Sequence, residues 1–397
     1  MLGDRMTEYK KLQILCDIKK GKKVKINKSP TPNSIPYLLI DTLRGQKPEF
    51  FTEDKEYTEA EEKDILMVMD GANSGLIGTG IKGAVGSTIA RIRPIGGLNN
   101  KYLSYFLEFN FLILNKDVRG SATPHVKKER LLNLELRYPL EDEQQEIVQE
   151  IEKQFTRLDE SIKSLIAVKE KLEVYRKSVL KASFEGKLIE FEYSKYLRKL
   201  SDKSKVNEYI PTNFVNDSTL VSFVPMEDVQ EKNGKISLNK IRKFGEVKKG
   251  YTRFKEGDII FAKITPCMEN GKIALAEGLV SGIACGSTEF HVIRANNDVN
   301  KKYLLYFLLQ PYIRELGKRY MQGTSGHMRL RQDYLENLKI SIPNEEIQQK
   351  IVQKIESRFS VINRIEEIVD SSLLKAEQLR KSILKSAFEG KLVKVEA

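Results

Sequence analysis

Apolar side chains recur from Gln144 onward in alternating steps of four and three, at Val148, Ile151, Phe155, Leu158, Ile162, Leu165, Leu172 and Val179. This is the heptad spacing of a helix with one buried seam, interrupted at Lys169 and Arg176. The seam returns at an offset of 204 residues as Val352, Ile355, Phe359, Ile362, Val369, Leu373, Ala376 and Ile383. Each predicted helix comes after a proline (Pro139, Pro343), has acidic residues in its first turn as the macrodipole prefers, and ends at a glycine (Gly186, Gly390) suited to a left-handed cap. About 44 residues at 1.5 Å each predict rods of roughly 65 Å. Two matched seams in one chain most simply bury each other. An antiparallel pairing would place the segments preceding the two helices at opposite ends, about a pseudo-twofold axis.

The repeat is wider than the seams. Residues 133–188 align with 337–392 without a gap and share about 24 of 56 identities, from a Glu/Gln-rich helix start to the ending FEGKL. It is too long for a solenoid unit and too few for an array, so the chain reads as two equivalent halves, each a module and then one helix. Within the modules, short β-branched runs predict strands: EKDILMVMDG (62–71) parallels EGDIIFAKIT (256–265), and GAVGSTIARIRP (83–94) parallels GIACGSTEFHVIRA (282–295). KYLSYFL (101–107) and KYLLYFL (302–308) predict helices with an aromatic face. The expected fold is α+β, with mixed α/β modules at 1–140 and 189–343 and long helices at 141–188 and 344–397.

Composition narrows the function classes. The chain has 397 residues, 40% hydrophobic and 31% charged, enough for two sizeable cores. No apolar run approaches the roughly 20 residues of a membrane span, and the first twenty residues lack the apolar stretch of a signal peptide, so the expected address is the cytoplasm, with no membrane partner. Cys16, Cys267 and Cys285 are scattered and form no CxxC, which offers neither a disulfide framework nor a zinc site. The net charge of +12 calls for an anionic partner, and nucleic acid is the usual one. Basic proteins that bind nothing anionic also exist, so charge alone leaves this open.

Catalytic signatures are missing from the sequence. There is no GxxxxGK[ST], HExxH, GxSxG or Asn-Pro-Pro-Tyr, and the three histidines (His125, His291, His327) have no second ligand at metal-binding spacing. Gly78, Gly80 and Gly83 spell GxGxxG, but the segment AVGSTIARIRP (84–94) beyond them reads as a strand instead of the helix a dinucleotide site requires; a tight turn between strands is expected. His125 and His327 lie in matching Gly/Ser/Thr loops and suit either ligand contact or a structural hydrogen bond. DNA binding needs polar and basic donors on loops held by a rigid scaffold. The candidates in the first module are Asn73, Lys82, Arg119, Ser121, His125, Lys127 and Lys128. Those in the second are Lys263, Glu269, Asn270, Lys272, Ser325, His327, Arg329 and Arg331.

The duplicated Pro-x-Glu-x-x-Gln-Gln starts and FEGKL endings carry a family likeness, together with KKLQILCDIKKGKK (10–23), IPYLLI (35–40), MDGANSG (69–75), FVPMEDV (223–229), VKKGYTRFKEGDIIFAKITPCMENGK (247–272) and GSTEFHVIR (286–294). The chain resembles a specificity subunit of a type I restriction-modification system. The resemblance implies two target recognition domains separated by two conserved helices that pair as an antiparallel coiled coil. It implies no catalysis and no cofactor in this chain. It also implies two methyltransferase subunits that bring S-adenosylmethionine, and two restriction subunits that use ATP and Mg. The modules would read an asymmetric bipartite site in double-stranded DNA, with half-site centres on the order of 10 bp apart. Two other classes stay open at this level: a self-contained DNA-modifying or cleaving enzyme with an unrecognised site, and a coiled-coil scaffold without DNA specificity.

Overall fold

A computed structural model of the chain describes residues 8–115, 124–211, 215–324 and 326–393. The long helices are Glu141–Phe184 and Glu345–Phe388, each of 44 residues, and both terminate at left-handed glycines, Gly186 (φ 73°) and Gly390 (φ 72°). The chain divides into two compact units, Met1–Leu165 with Asp370–Ala397, and Ile166–Val369. Both helices thus contribute one part to each unit.

The modules share one topology. In the first, Cys16–Lys20, Ile89–Pro94, Ile65–Val68 and Ile77–Thr79 form an antiparallel four-stranded sheet in that order. A second sheet orders Phe50–Thr52, Ile35–Leu38, Gly83–Val85 and Glu59–Ala60, with one parallel pair in its centre. The second module repeats both. Ser204–Val206, Phe290–Ala295, Ile259–Ala262 and Ile273–Leu275 form one sheet, and Ile241–Lys243, Leu220–Val224, Ile283–Gly286 and Thr252–Lys255 the other, again with a central parallel pair.

The uninterrupted apolar runs are those of a sheet covered on both faces. Ile65 and Met67 join the core shared with the helices, while Leu66 and Val68 join the core against the smaller sheet. Ile259 and Phe261 face the helices and Ile260 faces the other sheet in the same way. The shared Gly-Ser-Thr also has a cause: a Cβ on Gly86 would lie 2.5 Å from the Leu38 carbonyl oxygen, and one on Gly286 would lie 2.4 Å from that of Val224. The parallel neighbour leaves no room for a side chain. As expected, the GxGxxG glycines open no helix. Gly80 turns at φ 72° between Ile77–Thr79 and Gly83–Val85, which belong to different sheets.

The duplicated helix starts are docking elements. The Gln144 side chain accepts the Asn99 backbone N–H (2.7 Å) and donates to the Pro139 carbonyl (2.9 Å). Gln348 does the same with Asn300 and Pro343, at 2.8 Å each. Tyr102 and Tyr303 are fully buried and donate to the carbonyls of Arg137 and Ser341. The helix endings are docking elements too. Phe388 packs against Tyr102, Phe106 and Phe109 of the first unit, with ring centroids 5.2–5.7 Å apart. Phe184 packs against Tyr303 and Phe307 of the second.

The helices pair antiparallel. The Arg380 guanidinium lies 3.9 Å from the ring centroid of Phe155 and ion-pairs with Asp159 and Glu108. Its repeat-mate Arg176 lies 4.6 Å from the ring of Phe359, the repeat-mate of Phe155, and ion-pairs with Glu366. The arginine that interrupts the heptad pattern therefore caps an aromatic seam residue on the facing helix. The seam is buried at Val148, Ile151, Phe155 and Leu158 and half-buried at Ile162 and Leu165.

Each all-antiparallel sheet also holds an ion pair. Arg93 engages Asp64, which is fully buried, at 2.6 and 2.7 Å, and Arg294 engages the buried Asp258 at 2.8 and 2.7 Å. Burial pushes the Asp64 carboxyl upward, but the hydrogen bonds from Arg93 and the Glu61 backbone, with the charges of Arg93 and Arg91, prevail and hold it below its ordinary value. The folded-state value is depressed, so the stabilisation is complete at neutral pH and is lost as pH falls below about 4 through that value. Asp64→Asn should flatten this acid-sensitive part of a stability-against-pH series, and an unaltered series would refute the assignment. Phe388→Ala should destabilise the first unit by about 3–5 kcal/mol. Hydrogen exchange should then rise in Asn100–Phe109 and stay unchanged in Lys301–Leu308, and Phe184→Ala should give the converse.

Candidate nucleic-acid interface

In each module the inner strand Ile65–Val68 or Ile259–Ala262 of the all-antiparallel sheet runs past its last ladder position and is met by the histidine-containing loop. In the first, the Val126 N–H donates to the Met69 carbonyl (2.8 Å), the Gly71 N–H to the Pro124 carbonyl (2.9 Å), and Asp70 bridges His125. In the second, the Leu330 N–H donates to the Lys263 carbonyl (2.7 Å), the Thr265 N–H to the Met328 carbonyl (3.0 Å), and Ile264 bridges Arg329. These registers make His125 the counterpart of Arg329. The loops match as the sequence suggested, but His327 sits two residues earlier than the position equivalent to His125.

Side chains at the two sites differ. In the first module the Asp70 carboxylate receives Lys20 (2.8 Å) and Nδ1 of the exposed His125. Partial burial pushes the Asp70 carboxyl up, but Lys20 and His125 outweigh it and hold it below its ordinary value. Asn73, in the next turn, accepts from Arg44. Lys82 is exposed on the turn leading to the smaller sheet, and Lys127 and Lys128 are exposed where the helix Lys128–Leu132 begins. Arg119 and Ser121 lie outside the described residues.

In the second module Arg329 forms a bidentate pair with Glu289, at 2.9 and 2.8 Å. That contact, against slight burial, lowers the Glu289 carboxyl. Glu269 accepts from the Thr265 hydroxyl (2.9 Å). His327 is exposed in the loop between Met321–Gln322 and Arg329–Leu330. Lys263, Glu269, His327 and Arg329 thus come together around one pair of loops. Asn270 and Lys272 turn away, to Glu231 and to the Met226 carbonyl (2.9 Å each), and Arg331 pairs with Asp333 (2.7 Å). Ser325 lies outside the described residues.

Several site groups were not among the candidates read from the sequence. Lys20, Asp70 and Arg44 shape the first site and Glu289 the second. Beside Lys263, an open recess of about 270 Å³ is lined by Asn207, Tyr209, Tyr251 and Arg253, with Arg253 over the Tyr209 ring. Asp70 and Glu289 belong to the distinctive phrases MDGANSG and GSTEFHVIR, but their partners stand tens of residues away. Among the described residues no cluster of His, Cys, Asp and Glu could hold a metal ion, and no helix is long and apolar enough to cross a membrane.

Burial raises the Cys16 thiol to about 12 and the Cys285 thiol to about 11, whereas Cys267, in the turn after Thr265, is half-buried and less perturbed. Because the thiolate is the reactive form, a disulfide reagent at pH 8 should titrate Cys267 first. Equal rates at all three would contradict the burial described. Cys267 then serves as a reporter next to the site.

The family model for the type I restriction modification DNA specificity domain matches residues 6–171 and 188–371. The EcoEI specificity subunit of Escherichia coli is 34% identical over 186 residues, 47% of this chain and 31% of that protein. The EcoAI specificity subunit of Escherichia coli is 37% identical over 170 residues, 43% of this chain and 29% of that protein. The matches thus span under a third of these two relatives. The MjaVIII specificity subunit of Methanocaldococcus jannaschii is 26% identical over 389 residues, covering 90% of this chain and 86% of that protein. Among solved structures, a chain from a study of type I R-M complex assembly and conformational transition has a TM-score of 0.74 at 15% identity, covering 97% of this chain and 98% of that one. The HsdS subunit of Thermoanaerobacter tengcongensis has a TM-score of 0.56 at 16% identity, covering 98% of each. These two likenesses establish the fold.

Proposed function

Because the chain belongs to the family of type I restriction modification DNA specificity domains, we propose that it is the specificity subunit of a type I restriction-modification complex. Each module reads one half of an asymmetric, bipartite site in double-stranded DNA. The observation that carries this reading is one sheet topology built twice, with different side chains at the same place on it: Asp70, Lys20 and His125 in one module, and Glu289, Arg329, Thr265 and Glu269 in the other. Identical scaffolds with unlike donor and acceptor sets suit two unlike half-sites. The net charge of +12 supplies the sequence-independent attraction to the duplex.

In this reading the chain performs no chemistry. Two methyltransferase subunits supply S-adenosylmethionine, two restriction subunits supply ATP- and Mg-dependent cleavage, and the paired helices act as spacer and dock. The complex works in the cytoplasm, where the duplex is.

Single-molecule sequencing of adenine methylation, with and without this gene in the host, tests the reading. Deletion should erase one bipartite, asymmetric motif; an unchanged methylome would reject it. Arg329→Ala should relax bases in one half-site only, by about 1–3 kcal/mol of discrimination. Equal loss at both halves would assign Arg329 a general phosphate role instead. A scaffold without DNA specificity would show no affinity that falls with salt.

A further inference from the structure

His291 has no role in the reading above, yet it is the one histidine that is buried. It lies on Phe290–Ala295 and spans from the all-antiparallel sheet to the loop that carries His327 and Arg329. Its Nε2 is 2.9 Å from the carbonyl oxygen of Leu330, and its Nδ1 is 2.9 Å from the side-chain nitrogen of Asn207. A carbonyl can only accept, so Nε2 bears the proton. Asn207 cannot be flipped, because its Oδ1 already accepts the Val292 N–H at 2.9 Å. Its amide nitrogen therefore donates, to Nδ1 and also to the Gln332 side-chain oxygen at 2.8 Å, so Nδ1 is a lone pair. Gln332 in turn donates to Glu336 and to the Val206 carbonyl. Asn207 holds the left-handed conformation (φ 57°) that this residue type tolerates. The imidazole is thus fixed as one neutral tautomer by two partners on separate segments, Leu330 and Asn207.

Leu330 is the residue that receives this bond, and it is also where the loop is tied to Lys263. The strand end binds its N–H while His291 binds its carbonyl. Among the described residues the first module has no buried histidine at this place. Ala90 pairs with Met67 as His291 pairs with Phe261, so the equivalent position is a methyl group. There the loop is tied at the surface, by Asp70 to His125.

We propose that His291, oriented by Asn207, is a positioning residue that sets the placement of the second module's reading loop, residues 321–324 and 326–331, and of no part of the first module. The role in DNA reading rests on the function proposed above; the mechanical role does not. Burial lowers the basicity of His291, and the groups facing it are Lys263 from the strand end, Glu289 from its own strand and Glu336 from the helix Gln332–Glu336. Because the folded-state value is depressed, the contribution is complete above about pH 6.5 and is lost as pH falls through that depressed value. Protonation would set an N–H against the N–H of Asn207.

The test compares full-length wild type, His291→Phe and His291→Gln. Glutamine can donate to Leu330 and accept from Asn207, whereas phenylalanine fills the space and does neither. Protection factors from hydrogen exchange should fall at least tenfold in 329–331 for His291→Phe, stay unchanged in Ile259–Ala262, and be largely restored in His291→Gln. In wild type the protection of this loop should fall on acidification below about pH 6.5, and in His291→Gln it should not. If His291→Phe fails to fold, Asn207→Asp keeps the Val292 bond and offers a carboxylate to Nδ1. That variant should hold the loop to lower pH than wild type. Unchanged loop protection in His291→Phe, or an unshifted pH profile in Asn207→Asp, overturns the mechanical role. The variants are then placed in the host and its methylated motif is sequenced. Relaxation confined to one half-site for His291→Phe supports the proposal, and an intact motif despite a loosened loop overturns its link to recognition. A motif that persists when the gene is deleted instead rejects the functional reading, leaving the exchange result standing.

Discussion

Each module's core is closed by a phenylalanine from the end of the helix that leaves the other module. Phe388 lies among Tyr102, Phe106 and Phe109, and Phe184 beside Tyr303 and Phe307. Burying such a side chain contributes about 3 kcal/mol, a large share of a domain's net stability. Each module also leans on the start of its own helix through Gln144 or Gln348. Neither core is complete until both helices have formed, and contacts such as Arg380 with Glu108, 272 residues apart in sequence, close the chain on itself. This constraint explains why the repeat is strongest at the two ends of the helices and weak between them. Helix ends meet module cores, whereas mid-helix positions meet mostly solvent and one seam.

The same division between fixed and free positions runs through the modules. The Asp64–Arg93 and Asp258–Arg294 pairs and the glycines at 86 and 286 belong to the sheets, and each appears at equivalent positions in both modules. Removing one partner of a buried ion pair leaves an uncompensated charge, and adding a side chain at either glycine would drive two parallel strands apart. Such positions cannot drift. The strand ends and the loops that meet them have no such obligation beyond a few backbone hydrogen bonds, and there the modules differ in nearly every side chain. A scaffold that holds its loops by main-chain bonds leaves the side chains free to specify.

Much of this architecture was legible in the residues alone. The heptad spacing located both helices, the prolines and glycines marked their ends, and the runs ILMV and IIFA were strands. Arg176 read as an interruption because its partner, Phe359, belongs to the facing helix, and single-helix periodicity cannot show a cation stacked across a seam. The candidate site was legible only as loops. Sequence order aligned His125 with His327, whereas the hydrogen bonds at Val126 and Leu330 align His125 with Arg329, because the loops differ in how many residues precede the tie. Asp70 and Glu289 were inside recognised phrases, but which cations they hold depends on sheet register. Lys272, chosen as a donor on a loop, donates to the Met226 carbonyl, a partner that its place in the sequence does not show.

The two loop ties use different physical chemistry on one scaffold. In the first module the tie is an exposed cluster of the Asp70 carboxylate, the Lys20 ammonium and the His125 imidazole, where water and salt compete for every bond. In the second the exposed Arg329–Glu289 pair is backed by an imidazole enclosed by Asn207 and a backbone carbonyl, where losing a partner leaves a polar group stranded away from water. An exposed ionic tie tolerates exchange of its members at little cost, so the loop it holds can change composition freely. A buried tie demands that tautomer, partner and backbone all agree, so it fixes the loop's path while leaving outward side chains such as His327 unconstrained. Duplication of a module therefore need not yield two equally variable sites. The half whose loop is anchored inside the protein has its geometry set by the core, and its variation is confined to the side chains that face outward.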